Sequence, residues 1–453
     1  MKIKQRSQTK LKNNLRWDML VLLDQIDNQN QYSNLVMDNY LASSDRSSQD
    51  KNLIVKVVYG SVQRRLTLDF YLKDFIKGKL EDWVHSLLRL SIYQAIYLDR
   101  VPQHAIVNEA VEIAKLNGHQ GIAKLVNAIL RNFFRQELKS LTVITDPLER
   151  LSIEHSVPLW LVKYFHQHLP ETDLKNFLSS LNQVPHLSAR INGPAAMRTP
   201  IMDQLKAQEL TVTNSQVSPF GLKITSGDVF NSQAYQEGLF TIQDESSMLV
   251  APLGKLTGSE NVLDACAAPG GKATHIASLL TDGHLTALDI SDRKLNILKD
   301  HAERLSLSDK MDLLVTDALD FQPLSQIAFD VIYLDAPCSG IGLMRRKPEI
   351  KYQKTPDDIQ ELVKLQKQLF NHMLSLLKAG GRLIYSTCTL TYEENEYLIE
   401  EILKENSDLQ VESIQAEEVL PDNVITSQGY LRIWPQQYDT DGFFISRFLK
   451  KLD

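Results

Sequence analysis

The stretch Asn261-Val262-Leu263-Asp264-Ala265-Cys266-Ala267-Ala268-Pro269-Gly270-Gly271-Lys272 decides the fold. A β-branched, apolar run ends on an acidic residue, turns through paired glycines and enters a run with helical spacing at 273–280. The same alternation recurs downstream. Strands are predicted at 261–266, 285–290, 312–315, 330–334 and 382–385, with helices at 273–280, 293–305 and 359–377. Strands separated by helices of this length imply a parallel, doubly wound sheet. Two short runs, 430–434 and 443–449, predict an antiparallel hairpin closing the sheet edge. In open α/β sheets ligands bind at the carboxyl ends of the strands. All three cysteines of the chain fall at such ends: Cys266, Cys338 in Asp335-Ala336-Pro337-Cys338, and Cys388 in Ser386-Thr387-Cys388.

Upstream, residues 14–137 read as helical throughout. Val84, Leu87, Leu88, Ile92, Ala95 and Ile96 keep close to one helix face, and Val107, Ala110, Val111 and Ala114 repeat the pattern after Pro102. Val126, Ile129, Leu130 and Phe133 mark a further helix. The region between is a small α+β module, with a helix at 158–168, strands at 187–191, 222–225 and 239–242, and a short helix at 202–208. The expected division is an all-α domain over 1–140, an α+β module over 141–238 and an α/β domain over 239–453.

At 453 residues, several domains with real cores are expected. Three cysteines, an odd number spread tens of residues apart, suit a reducing compartment and neither a disulfide framework nor a zinc site. Met1 to Arg16 is basic without an apolar segment, so it is not read as a signal peptide, and no apolar run is long enough to span a bilayer. A cytoplasmic, metal-free protein is expected. The net charge of −7 lends no global support to nucleic-acid binding. Lys2, Lys4, Arg6, Lys10, Lys12 and Arg16, with no acidic residue among them, form either a solvated tail or an arm for phosphates.

Gly270 and Gly271 let the backbone approach a ligand at a helix start. Asp289 ends the second strand, where a carboxylate can accept both ribose hydroxyls, and Asp317 follows the third, where it could hold an adenine edge. One such aspartate is more often a helix N-cap; three at successive strand ends favour a ligand site. The loop lacks the G-x-G-x-x-G pattern and the chain has no Walker A sequence, which leaves an adenosine cofactor without a pyrophosphate, S-adenosylmethionine being the obvious one.

Asp-x-Cys-Ala-Ala-Pro-Gly-Gly-Lys, Asp-Ala-Pro-Cys-Ser-Gly and Ser-Thr-Cys-Thr, in this order, closely resemble the motifs of the Sun/Fmu family of RNA cytosine-C5 methyltransferases. At roughly one in twenty per position, the first motif alone arises by chance on the order of once in 10¹⁰ sites, so the match is specific. The helical segment resembles the NusB-type RNA-binding domain fused to the bacterial branch of this family. Gln243-Asp244-Glu245-Ser246-Ser247 resembles the family's lead-in to its catalytic domain. The resemblance implies a Rossmann-like class I methyltransferase domain and 16S rRNA, free or partly assembled, as substrate. It implies a cofactor site from Cys266, Ala267, Ala268, Pro269, Gly270, Gly271, Lys272, Asp289, Asp317 and Asp335.

Carbon 5 of cytosine is a poor nucleophile until a thiolate adds to carbon 6, which is nucleophilic catalysis followed by proton removal. By resemblance, Cys388 is the nucleophile and Cys338 assists proton removal and release. DNA cytosine methyltransferases use the Pro-Cys thiol instead, which would exchange the two roles. Asp335 is expected at the cytosine N3/N4 edge, donating to N3 if protonated. Lys272 either favours the thiolate and positions Asp335 or is a solvated first-turn lysine. Arg345, Arg346, Lys347, Lys351 and Lys354 are expected on a loop beside the pocket, either gripping RNA while the target base is turned out or merely solvated.

Overall fold

The computed structural model describes residues 10–323 and 328–452. They form two compact units: residues up to Gln183 together with Lys347–Gln353, and Val184–Arg346 together with Lys354 onward. Lys2, Lys4 and Arg6 of the basic arm lie outside the described residues. Lys10 and Lys12 are exposed, while Arg16 turns inward to Gln94 Oε1 at 3.1 Å.

The first unit is helical. Its centre is the helix Asp82–Tyr97, buried from Trp83 to Gln94 on nearly every side rather than along the single face its spacing suggested. Leu88 and Ile92 there pack with Leu20 and Leu23 of Leu15–Asp27, Ile54 and Val58 of Ser48–Gln63, and Val126 and Leu130 of Gln120–Phe134. Arg89 enters this core only because Asp69, at 2.6 Å, and Asp27, at 3.3 Å, take its charge. The strip Lys347–Gln353 is built into the same unit. Glu349 accepts from Ser33 N at 2.9 Å, fully buried Lys351 donates to Gln63 O at 2.9 Å, and the Tyr352 hydroxyl lies 2.9 Å from Ser156 Oγ.

The second unit contains two sheets. β1 (Leu187–Ile191), β2 (Thr211–Asn214), β3 (Gly221–Ser226) and β4 (Phe240–Ile242) form an antiparallel sheet ordered β2-β3-β1-β4. β2, with one buried residue in four, carried no sequence signal.

The larger sheet runs β10 (Leu409–Val411), β12 (Phe443–Lys450), β9 (Leu377–Thr387), β8 (Phe329–Asp335), β5 (Asn261–Asp264), β6 (His284–Asp289), β7 (Met311–Val315), with β11 (Leu431–Ile433) paired to β12. The five strands from β7 to β9 are parallel, as the alternation predicted. Adjacent residues of one strand enter different cores: Val262, Val331 and Ile384 meet the helices Gly271–Ser278 and Asp292–Arg304, while Leu263, Ile332 and Leu383 meet Pro356–Leu376 and Leu398–Glu405. Burial on both faces explains why these strands read as continuous apolar runs. The sheet order reverses at β5, between β6 and β8, and a crevice outside the carboxyl ends is expected there.

The tail forms the expected antiparallel hairpin, β11 with β12, but the hairpin does not by itself close the sheet edge. β12 is antiparallel and lies inside the sheet between β9 and β10, so β10 forms that edge. β10 has three residues, only one of them buried, which is too short for an alternation to register.

Candidate active site

The turn after β5 forms the floor of the site. Gly270 has φ +111°, and a Cβ there would stand 2.5 Å from Leu298 Cδ1, so both backbone and space require glycine. The helix Gly271–Ser278 starts without a side-chain cap. Asp264, at the end of β5, accepts from Cys266 N through Oδ1 at 3.3 Å, while its buried Oδ2 has no hydrogen-bond partner. Burial and then the charge of Asp335 push the Asp264 carboxyl up to about 7.

The carboxylates at the strand ends converge on this turn. Asp289 accepts from Ala268 N at 3.3 Å and Ser291 N at 2.9 Å; Ser291, not Asp289, caps the helix Asp292–Arg304. Asp317 accepts from Leu319 N at 2.9 Å in a turn that opens no helix. Neither aspartate is therefore spent as an N-cap. Burial first, and then Asp264, Asp335, Asp289 and Asp317, push the Cys266 thiol far above its ordinary range. Cys266 is thus held as a neutral thiol amid four carboxylates. Beside Asp289, Ile290 leaves an apolar side chain 72% exposed. Acidic groups around an open glycine turn with an apolar ledge fit an adenosyl sulfonium better than a polyphosphate.

Across the switch point β8 and β9 bring their ends together. Cys338 Sγ lies 3.3 Å from Cys388 Sγ. The hydrogen bond with Cys388, followed by burial, drives the Cys338 thiol well above its usual range. Lys272 Nζ is 2.8 Å from Asp335 Oδ2, and Ser386 Oγ donates to Asp335 Oδ1 at 2.8 Å. Burial works against the Lys272 ammonium, but the charge and hydrogen bond of Asp335 hold it above its ordinary pKa. The ammonium also stands 5.0 Å from the centre of the Phe443 ring. Lys272 is therefore not a solvated first-turn lysine. Both Asp335 oxygens accept hydrogen bonds, one from Lys272 and one from Ser386.

Backbone contacts fix the Cys388 loop. Gly342 N donates to Cys388 O at 3.0 Å, and Gly442 N donates to Gly342 O at 3.0 Å. A Cβ on Gly342 would stand 2.8 Å from Cys388 O.

The basic loop after Cys338 differs from its expectation. Arg345 is buried in an ion pair with Asp439. Arg346 bridges Asp244 at 2.7 Å and Asp441 at 2.8 Å. Despite burial, Arg346 and its neighbours hold Asp244 down at about 2, whereas burial and the Asp244 charge raise Asp441 to about 7. Lys351 is sealed inside the helical unit, and Lys347 stands 5.9 Å from the Tyr32 ring centre. Arg345, Arg346 and Lys351 are structural. The carboxylate partners of the two arginines lie far away in sequence, so a run of bases looked unneutralised.

Three residues of the site escaped the sequence reading. Ser386 reads only as part of a motif and Phe443 as the start of a strand, while nothing in the sequence singles out Glu394. Glu394 sits in Glu393-Glu394-Asn395-Glu396, which resembles an exposed acidic face, yet it is fully buried.

Comparison with known proteins places these features. The family model for 16S rRNA methyltransferase RsmB/F matches residues 253–449, that for the NusB family residues 14–135, and that for a Methyltr_RsmF/B-like, ferredoxin-like domain residues 157–229. A Bacillus subtilis protein named probable ribosomal RNA small subunit methyltransferase B is 38% identical over 449 residues, covering 97% of this chain and 99% of that protein. One of the same name from Synechocystis sp. is 33% identical over 439 residues, covering 95% and 98%. Among solved structures, PH0851 superposes with a TM-score of 0.81 at 24% identity, covering 96% of this chain and 97% of its own. A methyltransferase homolog protein from Pyrococcus horikoshii gives 0.57 at 25% identity, covering 68% and 100%.

Proposed function

This chain belongs to the 16S rRNA methyltransferase RsmB/F family, whose members use S-adenosylmethionine, and from that membership we propose that it methylates carbon 5 of a cytosine in 16S rRNA through a transient bond between Cys388 and carbon 6. The observation that carries this reading is the pair of sulfurs 3.3 Å apart at the ends of β8 and β9, beside the Lys272–Asp335 ion pair.

Bound S-adenosylmethionine supplies an electrophilic methyl group. The residues to hold it are the Cys266-Ala267-Ala268-Pro269-Gly270-Gly271-Lys272 turn, Asp289 and Asp317 for the adenosine portion, and Asp335 at the reacting end. The Cys388 thiolate adds to carbon 6, and the displaced ring electrons make carbon 5 nucleophilic. Once carbon 5 carries the methyl group, its proton leaves to a base. The electron pair left behind restores the ring double bond, the C6–S bond breaks, and its pair returns to Cys388. Cys338, with its sulfur 3.3 Å from that of Cys388, is the group that assists this proton removal and release. Asp335, held as an acceptor by Lys272 and Ser386, suits the exocyclic amino group of cytosine. The helical residues up to about 140 are assigned to RNA contact and the 141–238 module to linking them with the methyltransferase domain.

Incubation with methyl-labelled cofactor and 16S rRNA, followed by bisulfite mapping, tests the reading. Label is expected on one cytosine at carbon 5, and none with Cys388→Ala. Label on another atom, or full activity without the Cys388 sulfur, would overturn it.

A further inference from the structure

Two different loops carry the thiols, and one buried carboxylate joins them. Glu394 Oε1 accepts from the Ser339 backbone amide at 2.8 Å and from Gln366 Nε2 at 3.0 Å. Its Oε2 accepts from the Ser339 hydroxyl at 2.5 Å and from the Thr391 hydroxyl at 2.6 Å. Ser339 Oγ also lies 2.7 Å from Thr389 Oγ1, and Gln366 Nε2 donates in addition to Pro337 O at 2.9 Å. Ser339 directly follows Cys338, and Thr389 directly follows Cys388. Asn395 completes the frame, accepting from Thr387 Oγ1 at 2.7 Å and donating to Thr391 O at 2.8 Å.

A carboxylate is a costly way to fill a core position, and it is tolerated only when its lone pairs are occupied. Four donors, all of them neutral groups, occupy those of Glu394. What such a group provides beyond packing is a fixed geometry for everything bonded to it. We propose that Glu394 is a positioning residue that sets the separation of the Cys338 and Cys388 sulfurs by clamping Ser339 to the loop that follows Cys388. It touches neither substrate nor cofactor. Its consequence for turnover rests on the covalent reading above, whereas its effect on the thiol pair does not.

The test uses the full chain carrying Glu394→Ala, Glu394→Gln or Ser339→Ala. Hydrogen peroxide closes the two thiols to a disulfide, taking two electrons and two protons from them and leaving as two molecules of water. The closure rate, divided by the rate of alkylation of the same thiols by iodoacetamide, reads their relative placement without any RNA. A misplacement of about 1 Å at a reacting centre costs on the order of 10²-fold, so Glu394→Ala is expected to slow closure and kcat each by roughly 10- to 100-fold while cofactor affinity is kept. Glu394→Gln recovers most of this, since its carbonyl retains the two N–H donors and the hydroxyls can turn to accept from its amide. Closure at the normal rate in Glu394→Ala, with only a lower melting temperature, overturns the proposal. If Glu394→Ala does not fold, Ser339→Ala decides, with slowed closure supporting the clamp and unchanged closure overturning it. Cys388→Ala run in parallel separates the two ideas: methylation by that variant sinks the covalent reading alone.

Discussion

Cys338 and Cys388 present their sulfur atoms to each other at 3.3 Å although they arrive on different strands, and the first is driven to keep its proton by the second. Under the covalent reading proposed above, a second sulfur at this distance is placed to serve the release of the adduct.

Removal of the Cys338 sulfur is therefore expected to stop release rather than attack. Cys338→Ala should transfer about one methyl group per protein molecule and then stay attached to RNA. Its steady-state rate should fall by roughly 10²- to 10⁴-fold, the usual worth of proton-transfer assistance. Denaturing gels of protein mixed with RNA and cofactor check this. If Cys338→Ala turns over normally and Cys388→Ala is the variant that accumulates the adduct, the roles are exchanged.

Asp264 carries a prediction about pH. Its folded pKa, about 7, exceeds the ordinary 3.8, so between those values the folded state binds the proton more tightly than the unfolded chain. Stability contributed by this group thus falls as pH rises from about 4 to 7 and is flat beyond. Asp264→Asn removes the dependence. Its stability should match that of the parent near pH 4 and exceed it at pH 8, by an amount on the order of 4 kcal/mol or less. Parallel melting curves that keep the same gap at every pH would contradict the assignment.

Gly342 is predicted to tolerate no side chain. A Cβ would press on the carbonyl of Cys388 and on the backbone of Gly442, neither of which can swing aside. Gly342→Ala should cost about 1–3 kcal/mol and, under the covalent reading, lower kcat more than it raises KM for RNA, because the loop that carries Cys388 moves. Denaturant titration with steady-state kinetics measures both.

Arg346 separates a structural cation from an RNA-binding one. With Asp244 and Asp441 already on its guanidinium, Arg346→Ala leaves two carboxylates facing each other and should cost about 3–5 kcal/mol. The slope of log affinity for RNA against log salt concentration should not change, since no phosphate contact is lost. A slope smaller by about 1 with normal stability would restore the arginine to the RNA interface.

Legibility tracked burial. Val331-Ile332-Tyr333-Leu334 is apolar without interruption because both sheet faces are covered, so β8 and its neighbours could be read directly. The beginning of β9 could not, because Gly380-Gly381 interrupts the apolar pattern inside a continuous strand. The carboxyl edge of the sheet was readable because Asp264, Asp289, Cys338 and Cys388 each stand within a few residues of a strand end. Glu394 and Arg346 were not readable, for a shared reason: charged residues in polar runs look solvated. Only the folded chain reveals Ser339 against one and Asp244 and Asp441 against the other.

Ser386 and Thr387 are paired to Ile445 and Phe444 of β12. Translation delivers β9, which leads to Cys388, before the strand that flanks it. A nascent chain on the ribosome can thus already hold the glycine turn, both thiols and the clamp residues while the outer border of β9 is still bare. The contact between Lys272 and the Phe443 ring likewise needs β12 to have been made.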